Sequence, residues 1–166
     1  MTGVPRVAVV VGNPKPRSRT YDAALLVAER LTGSPAEVVV DVVDLGAGLL
    51  DWQDPATDRA VHSVRSADVV VVASPTYKAT YTGLLKLFLD RFPSGGLAGV
   101  VAVPLMLGAG PGHALAPEHS LRPVLVELGA STPTRGLYLL DRDHDDPAVL
   151  DPWLATAAGQ VRAAAR

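Results

Sequence analysis

Uninterrupted apolar runs rich in valine, VAVVV at Val7–Val11 and four consecutive valines at 69–72, constrain this chain more than any other feature. A strand exposed on one face alternates apolar and polar residues. A strand apolar at every position belongs in a parallel sheet covered on both faces. Four such segments read as strands, at 6–11, 37–43, 67–74 and 99–107, with a fifth at 135–140. Between them lie segments of roughly 3.6-residue apolar spacing, at 21–31, 58–66, 82–92 and 116–128. The chain closes on an Ala-rich segment, 147–166, carrying Val149, Leu150, Trp153, Leu154 and Val161. Alternating strand and helix implies right-handed βαβ crossovers, and hence a three-layer α/β fold. Five strands in 166 residues predict one domain, 1–166, with a parallel sheet of order 2-1-3-4-5.

Composition narrows the chemistry. With 48% hydrophobic and 19% charged residues the chain suits a packed globule rather than a disordered one. Zero cysteines exclude disulfides, thiolate metal sites, iron–sulfur clusters and cysteine nucleophiles, so any redox chemistry needs a borrowed cofactor. A net charge of −2 and a pI near 6.0 leave no basic stripe for nucleic acid and no polybasic patch for a membrane. No apolar run is long enough to span a bilayer and no signal peptide is visible, which predicts a cytoplasmic protein.

In such a sheet the ligand lies beyond the carboxyl ends of the strands, where the strand order reverses. That directs attention to three loops. The first, Gly12-Asn13-Pro14-Lys15-Pro16-Arg17-Ser18-Arg19-Thr20, leads into a helix that Ser18 or Thr20 can cap. Lys15, Arg17 and Arg19 add charged donors at the positive end of the helix dipole, so the segment reads as an anion site. A capped turn with solvated cations is the plainer alternative. The loop carries neither the Gly-Lys-Ser/Thr ending of a triphosphate loop nor the GxGxxG of a dinucleotide fold.

The second loop follows the most hydrophobic strand. Pro75 ends that strand, and Thr76, Tyr77 and Lys78 present rigid peptide groups, a flat ring and a cation to a planar ligand. The third, Gly108-Ala109-Gly110-Pro111-Gly112-His113, offers backbone that a ligand edge can approach closely. His113 and His119 are the nearest histidines, and neither has a carboxylate partner at fixed spacing. The acidic segment 141–146 matches no calcium loop and reads as a solvated turn before the last helix; no metal site is predicted.

The run Pro75-Thr76-Tyr77-Lys78-Ala79-Thr80-Tyr81-Thr82-Gly83-Leu84-Leu85-Lys86, followed by Leu89-Asp90 and Pro93, resembles the PxYKxxYSGxLKxxLDxxP motif of NAD(P)H-dependent FMN reductases. The nearest members in this respect are the reductases that supply reduced flavin to alkanesulfonate monooxygenases. The similarity extends through Gly12-Asn13-Pro14 and Leu121-Arg122-Pro123-Val124-Leu125 to Gly129-Ala130. It implies a flavodoxin-like fold, FMN and NAD(P)H as ligands, and hydride transfer from nicotinamide to flavin. By position, Ser18 and Thr20 would bind the phosphate and Pro75 through Lys78 the isoalloxazine, with Gly108, Gly110 and His113 in the second flavin-contacting loop; Asn13, Lys15 and Arg17 of the first loop complete the expected cofactor-binding residues. Asn13 stands where relatives commonly have Ser, Arg17 replaces a less polar residue, and Leu107 stands in place of a Thr. His119 falls where sulfonate-type reductases carry a one-residue helix insertion, a π-bulge associated with function. In that family the insertion accompanies flavin used as an exchangeable substrate, which makes His119 the one candidate catalytic residue.

The resemblance further implies a flavin-dependent monooxygenase as recipient of reduced flavin. Apolar residues on more than one face of the 82–92 helix (Leu84, Leu85, Leu87, Phe88, Leu89, Phe92) point to burial against another subunit, in a homodimer or homotetramer. A quinone or azo-compound reductase with tightly held FMN and a non-enzymatic flavodoxin-like carrier are the alternatives.

Overall fold

A computed structural model describes residues 5–165. Five parallel strands, β1 (Val7–Val11), β2 (Val38–Asp41), β3 (Val69–Pro75), β4 (Val101–Gly108) and β5 (Leu137–Leu140), form one sheet of order β2-β1-β3-β4-β5. This is the flavodoxin-like order anticipated from the strand and helix alternation. Every residue of β1, β3 and β4 is buried, because helices cover both faces. On one face Val7, Val9 and Val11 pack with Ala23, Ala24, Val27 and Ala28 of α1 (Arg19–Thr32) and Ala157 and Val161 of α5 (Asp151–Ala164). On the other, Ala8, Val10, Val70 and Val72 meet Val61 and Val64 of α2 (Pro55–Arg65), Leu85 and Phe88 of α3 (Gly83–Leu89) and Leu125 of α4 (Arg122–Glu127). Adjacent valines in one strand thus serve opposite cores, each fully buried side chain contributing roughly 1.5–3 kcal/mol.

Three expectations need correction. The second strand ends at Asp41 instead of residue 43, and Val42–Leu50 winds as 3-10 turns interrupted at Gly46, whose φ is +53°. The 82–92 helix is shorter, Gly83–Leu89, capped by Thr82. Its apolar excess is mostly spent within the chain: Leu85, Phe88, Leu89 and Phe92 are buried, Leu84 packs on the same core, and Leu87 alone of the six is exposed. Third, the 116–128 segment is not one regular helix. Pro117–Leu121 is a π-helix, with the Arg122 N–H donating to the Pro117 carbonyl, and α4 proper follows.

The sheet's outer strands are its shortest. β2 and β5 have four residues each, and the Arg135 carbonyl just before β5 accepts the Trp153 Nε1–H at 2.8 Å.

The π-helix is pinned from the side. Arg122 donates from Nε to Glu118 Oε2 at 2.7 Å, from Nη1 to the Thr132 carbonyl at 2.6 Å, and from Nη2 to the Thr134 carbonyl. Glu118 Oε1 in turn accepts the Gly136 N–H. The Arg122 hydrogen bond, joined by that from Gly136, holds the Glu118 carboxyl below its ordinary value against the opposing effect of burial. A depressed folded-state pKa contributes stability that is present above the unfolded value, about 4.3, and is lost as pH falls through the folded one. Acid unfolding of Glu118→Gln, followed by circular dichroism, should therefore show a shallower loss of stability below about pH 4.5 than the parent chain. Identical slopes would remove Glu118 from the acid response.

Candidate functional site

The carboxyl ends of β1, β3 and β4 deliver three loops to one edge of the sheet, and hydrogen bonds tie them together. Gly12 donates its N–H to the Ala73 carbonyl at 2.8 Å, and its own carbonyl accepts the Thr82 hydroxyl at 2.6 Å. Thr82 Oγ1 also accepts the Leu85 N–H at 3.1 Å as the N-cap of α3, and the Thr82 N–H donates to Ser74 Oγ at 3.0 Å. One threonine thus joins the first loop to the second. Thr76 donates its N–H to the Leu107 carbonyl at 2.7 Å, joining the second to the third.

The first loop folds around Asn13. Its Oδ1 accepts the Lys15 N–H at 2.9 Å and its Nδ2 donates to Thr20 Oγ1 at 3.0 Å. Ser18, in extended conformation, caps α1 by accepting the Tyr21 N–H. The N–H groups of Arg19 and Thr20 in the first turn have no acceptor among the described residues. Such donors at the positive end of a 14-residue helix are the chemistry an oxyanion needs. Lys15 and Arg19 are exposed and form no ion pair among the described residues. Arg17 differs: its guanidinium is taken by Asp41 and Asp44, each at 2.7 Å. The site expected to hold three free cations holds two.

The second loop turns sharply. Tyr77 and Thr80 exchange backbone hydrogen bonds at 2.8 and 3.2 Å, while Lys78 and Ala79 between them both have positive φ, +52° and +68°. This is a two-residue turn of type I′, which ordinarily takes Asn-Gly or Asp-Gly. Residues forced into left-handed backbone cluster at functional sites. The turn lifts Tyr77, 52% exposed, and Lys78 above the strand ends, and leaves Pro75 buried beneath. Ala79→Gly should relieve about 1 kcal/mol of this strain, raising the thermal midpoint by roughly 2–4 °C. An unchanged or lower midpoint in calorimetry would show the turn to be unstrained.

The third loop rests on Tyr138, a residue that sequence reasoning missed. Its hydroxyl donates to the Gly110 carbonyl at 2.7 Å. Burial pushes the phenol above its ordinary value, and Thr76 and Asp141 modulate it in opposite directions, so it stays protonated and able to donate. Thr76 Oγ1 is buried without a hydrogen-bond partner of its own. Gly108 leaves no room for a Cβ while Tyr138 stays in place: it would lie 2.0 Å from the Tyr138 oxygen. His113 and His119 are both exposed, His119 at the centre of the π-helix. The acidic segment ends with Asp146 accepting the Ala148 N–H, as a turn before α5. Among the described residues no helix is long and apolar enough to cross a membrane.

Ser74, Asp41, Thr82 and Tyr138 complete the site and were not singled out from sequence. Thr82 alone carried a local signal, since a threonine three residues before the first buried leucine of a helix is a capping position.

Known proteins are similar to this chain. The chain is 32% identical over 150 residues to "FMN reductase (NADPH)" of Escherichia coli (strain K12), covering 88% of this chain and 76% of that one. It is 31% identical over 159 residues to "NADH-dependent FMN reductase SfnF" of Pseudomonas putida, covering 91% and 86%. The crystal structure of an NADH:FMN oxidoreductase (EMOB) in its apo form superposes with a TM-score of 0.82 at 32% identity, over 97% of this chain and 88% of that one. The family model described as NADPH-dependent FMN reductase matches residues 5–145, and with the loop rim above, the chain belongs to the NADPH-dependent FMN reductase family.

Proposed function

We propose that the chain is an NAD(P)H:FMN oxidoreductase, a single-domain cytoplasmic reductase that passes reduced flavin to a flavin-dependent monooxygenase. The observation carrying this reading is the three-loop rim. It offers donors without acceptors at the start of α1, a strained Tyr77-Lys78 turn, and a glycine ledge at Gly108 and Gly110. These residues fit FMN: an anion site at one end, and the Tyr77-Lys78 turn with its glycine ledge at the other.

When bound, the flavin supplies the redox chemistry, accepting hydride from the nicotinamide. The chain's own residues orient and shield. Ser18, Thr20 and the first-turn N–H groups receive the phosphate, Lys15 adds charge, and Asn13 fixes the loop that presents them. In the second loop the Thr76 and Tyr77 N–H groups are taken by the Leu107 and Thr80 carbonyls, so it is Lys78 that offers a cation to the ring edge where negative charge develops on reduction, with the Tyr77 ring beside it. Gly108 and Gly110 let the opposite edge come close, and His113 stands at the open rim beside them. No side chain is required to move a proton in the hydride step, which agrees with a rim that contains no nucleophile–base pair among the described residues.

His119, at the π-helix, supports flavin that exchanges as a substrate. Exposed Leu115, Val126 and Leu87 support a homodimer or homotetramer. The two relatives differ in nicotinamide, NADPH for one and NADH for the other, so both belong in the assay. Protein purified without added flavin should oxidise NADPH or NADH at a rate that rises with added FMN. Yellow protein that turns over only with a quinone would replace this reading with a quinone reductase, and no oxidation in any combination would overturn it.

A further inference from the structure

We infer that Arg17 serves the anion loop by covering the negative charge of Asp41 and makes no contact with phosphate itself, which makes Arg17, Asp41 and Asp44 positioning residues for phosphate-bearing flavin. This rests on the reading of the 12–20 loop as the phosphate site.

Asp41 is the last residue of β2 and pairs in register with Val11, the last of β1, so its carboxylate stands behind the loop that leaves β1. Its side chain is 2% exposed. Oδ2 accepts both the Arg17 backbone N–H, at 3.0 Å, and the guanidinium Nη1–H, at 2.7 Å. Oδ1 is buried with no hydrogen-bond partner. The other arm of the guanidinium donates to Asp44 Oδ2 at 2.7 Å, and its plane lies over Tyr21, 5.2 Å from the ring centre. Arg17 itself sits at φ +48°, backbone that a non-glycine residue rarely adopts. Main chain and side chain are therefore held by the same buried oxygen.

The consequence is electrostatic. The free N–H groups of Arg19 and Thr20 begin two residues beyond Arg17, so a phosphate bound there lies within about 10 Å of the Asp41 carboxylate, too near and too sheltered for salt to screen. A buried carboxylate at that range repels a phosphate dianion strongly. The guanidinium cancels it, and in doing so spends its own charge. Lys15 and Arg19 are left as the cations that act on the ligand. The pairing is a feature of this chain, with 24 and 27 residues separating Arg17 from its two partners.

Flavin fluorescence titration of the purified protein tests the idea, using FMN and riboflavin as a phosphate-bearing and a phosphate-free probe. Arg17→Ala should weaken FMN at least tenfold and riboflavin less than threefold. Adding Asp41→Asn, whose Oδ1 still accepts the residue 17 N–H, should bring FMN back to within about threefold of the parent. Arg17→Gln, which keeps a polar side chain with an amide donor but no charge, should match Arg17→Ala, so the result does not hang on one variant folding well. A double variant as weak as Arg17→Ala would mean that Arg17 grips the phosphate directly and would overturn the inference. Equal losses for FMN and riboflavin, or no loss at all, would overturn it too. Parent protein that binds riboflavin as tightly as FMN, or neither, would defeat the phosphate-site reading instead, a failure visible before any variant is made.

Discussion

Gly12→Ala is expected to cost about 3 kcal/mol of stability and to abolish measurable FMN binding at micromolar concentrations. A Cβ at Gly12 would fall 2.3 Å from Leu85 Cβ and 3.1 Å from Leu85 Cα. The first contact is decisive, because Cβ is fixed by the backbone of α3 and no rotamer change moves it, and the contact with Cα adds to it. Leu85 is wholly buried between α3 and the sheet, so the helix has no room to retreat into the core. Moving it outward breaks the bond from the Thr82 hydroxyl to the Gly12 carbonyl, which is the link between the first and second loops. Urea unfolding and flavin titration measure the two effects. A variant within 1 kcal/mol of the parent that still binds FMN would show α3 to be far more mobile than its packing implies.

The second large effect is at Gly108. An alanine Cβ would sit 2.0 Å from the Tyr138 oxygen and 2.9 Å from its Cζ. Here the neighbour is a side chain, so the protein can yield, but only by swinging the phenol off the Gly110 carbonyl. Stability should fall by about 1–2 kcal/mol while the KM for FMN rises at least tenfold, a greater penalty on function than on folding. Tyr138→Phe in the same chain removes the nearest atom and should recover part of the stability with little of the FMN affinity, because the hydrogen bond to Gly110 is still missing. Full recovery of both by the double variant would show that the phenol only fills space.

The contrast between these two glycines marks what sequence reveals and what it hides. The parallel, doubly covered sheet followed from the valine runs, and its order from five strands alternating with helices in one domain. The cap of α1 was legible as Ser18 or Thr20, because a hydroxyl before an apolar-periodic segment can take an unpaired N–H, and the structure gives it to Ser18. Arg17 was legible as a cation and misplaced as a free one. Its partners are Asp41 at the end of β2 and Asp44 in the 3-10 turns after it, and only the pairing of Val11 with Asp41 brings them to the loop. Tyr138 was invisible for the same reason: its role depends on β5 lying beside the last residues of β4. The Tyr77–Thr80 turn was hidden differently, because Lys-Ala is the wrong composition for its geometry, and strain leaves no local signature. The π-helix entered only through resemblance, since one added residue in a helix shifts the apolar spacing too little to read.

The four-residue strands at both margins of the sheet bear on how the protein fails. The valine runs of β1 and β3 have the composition that stacks into cross-β fibrils: strongly β-forming and uncharged. In the native chain each is flanked by strands on both sides, and the margins offer a newcomer little to pair with, one being partly closed by Trp153. Fraying at β5 therefore leaves both valine runs paired, whereas loss of β2 bares one edge of β1, so precipitation on heating should track loss of β2 and global unfolding rather than opening at β5.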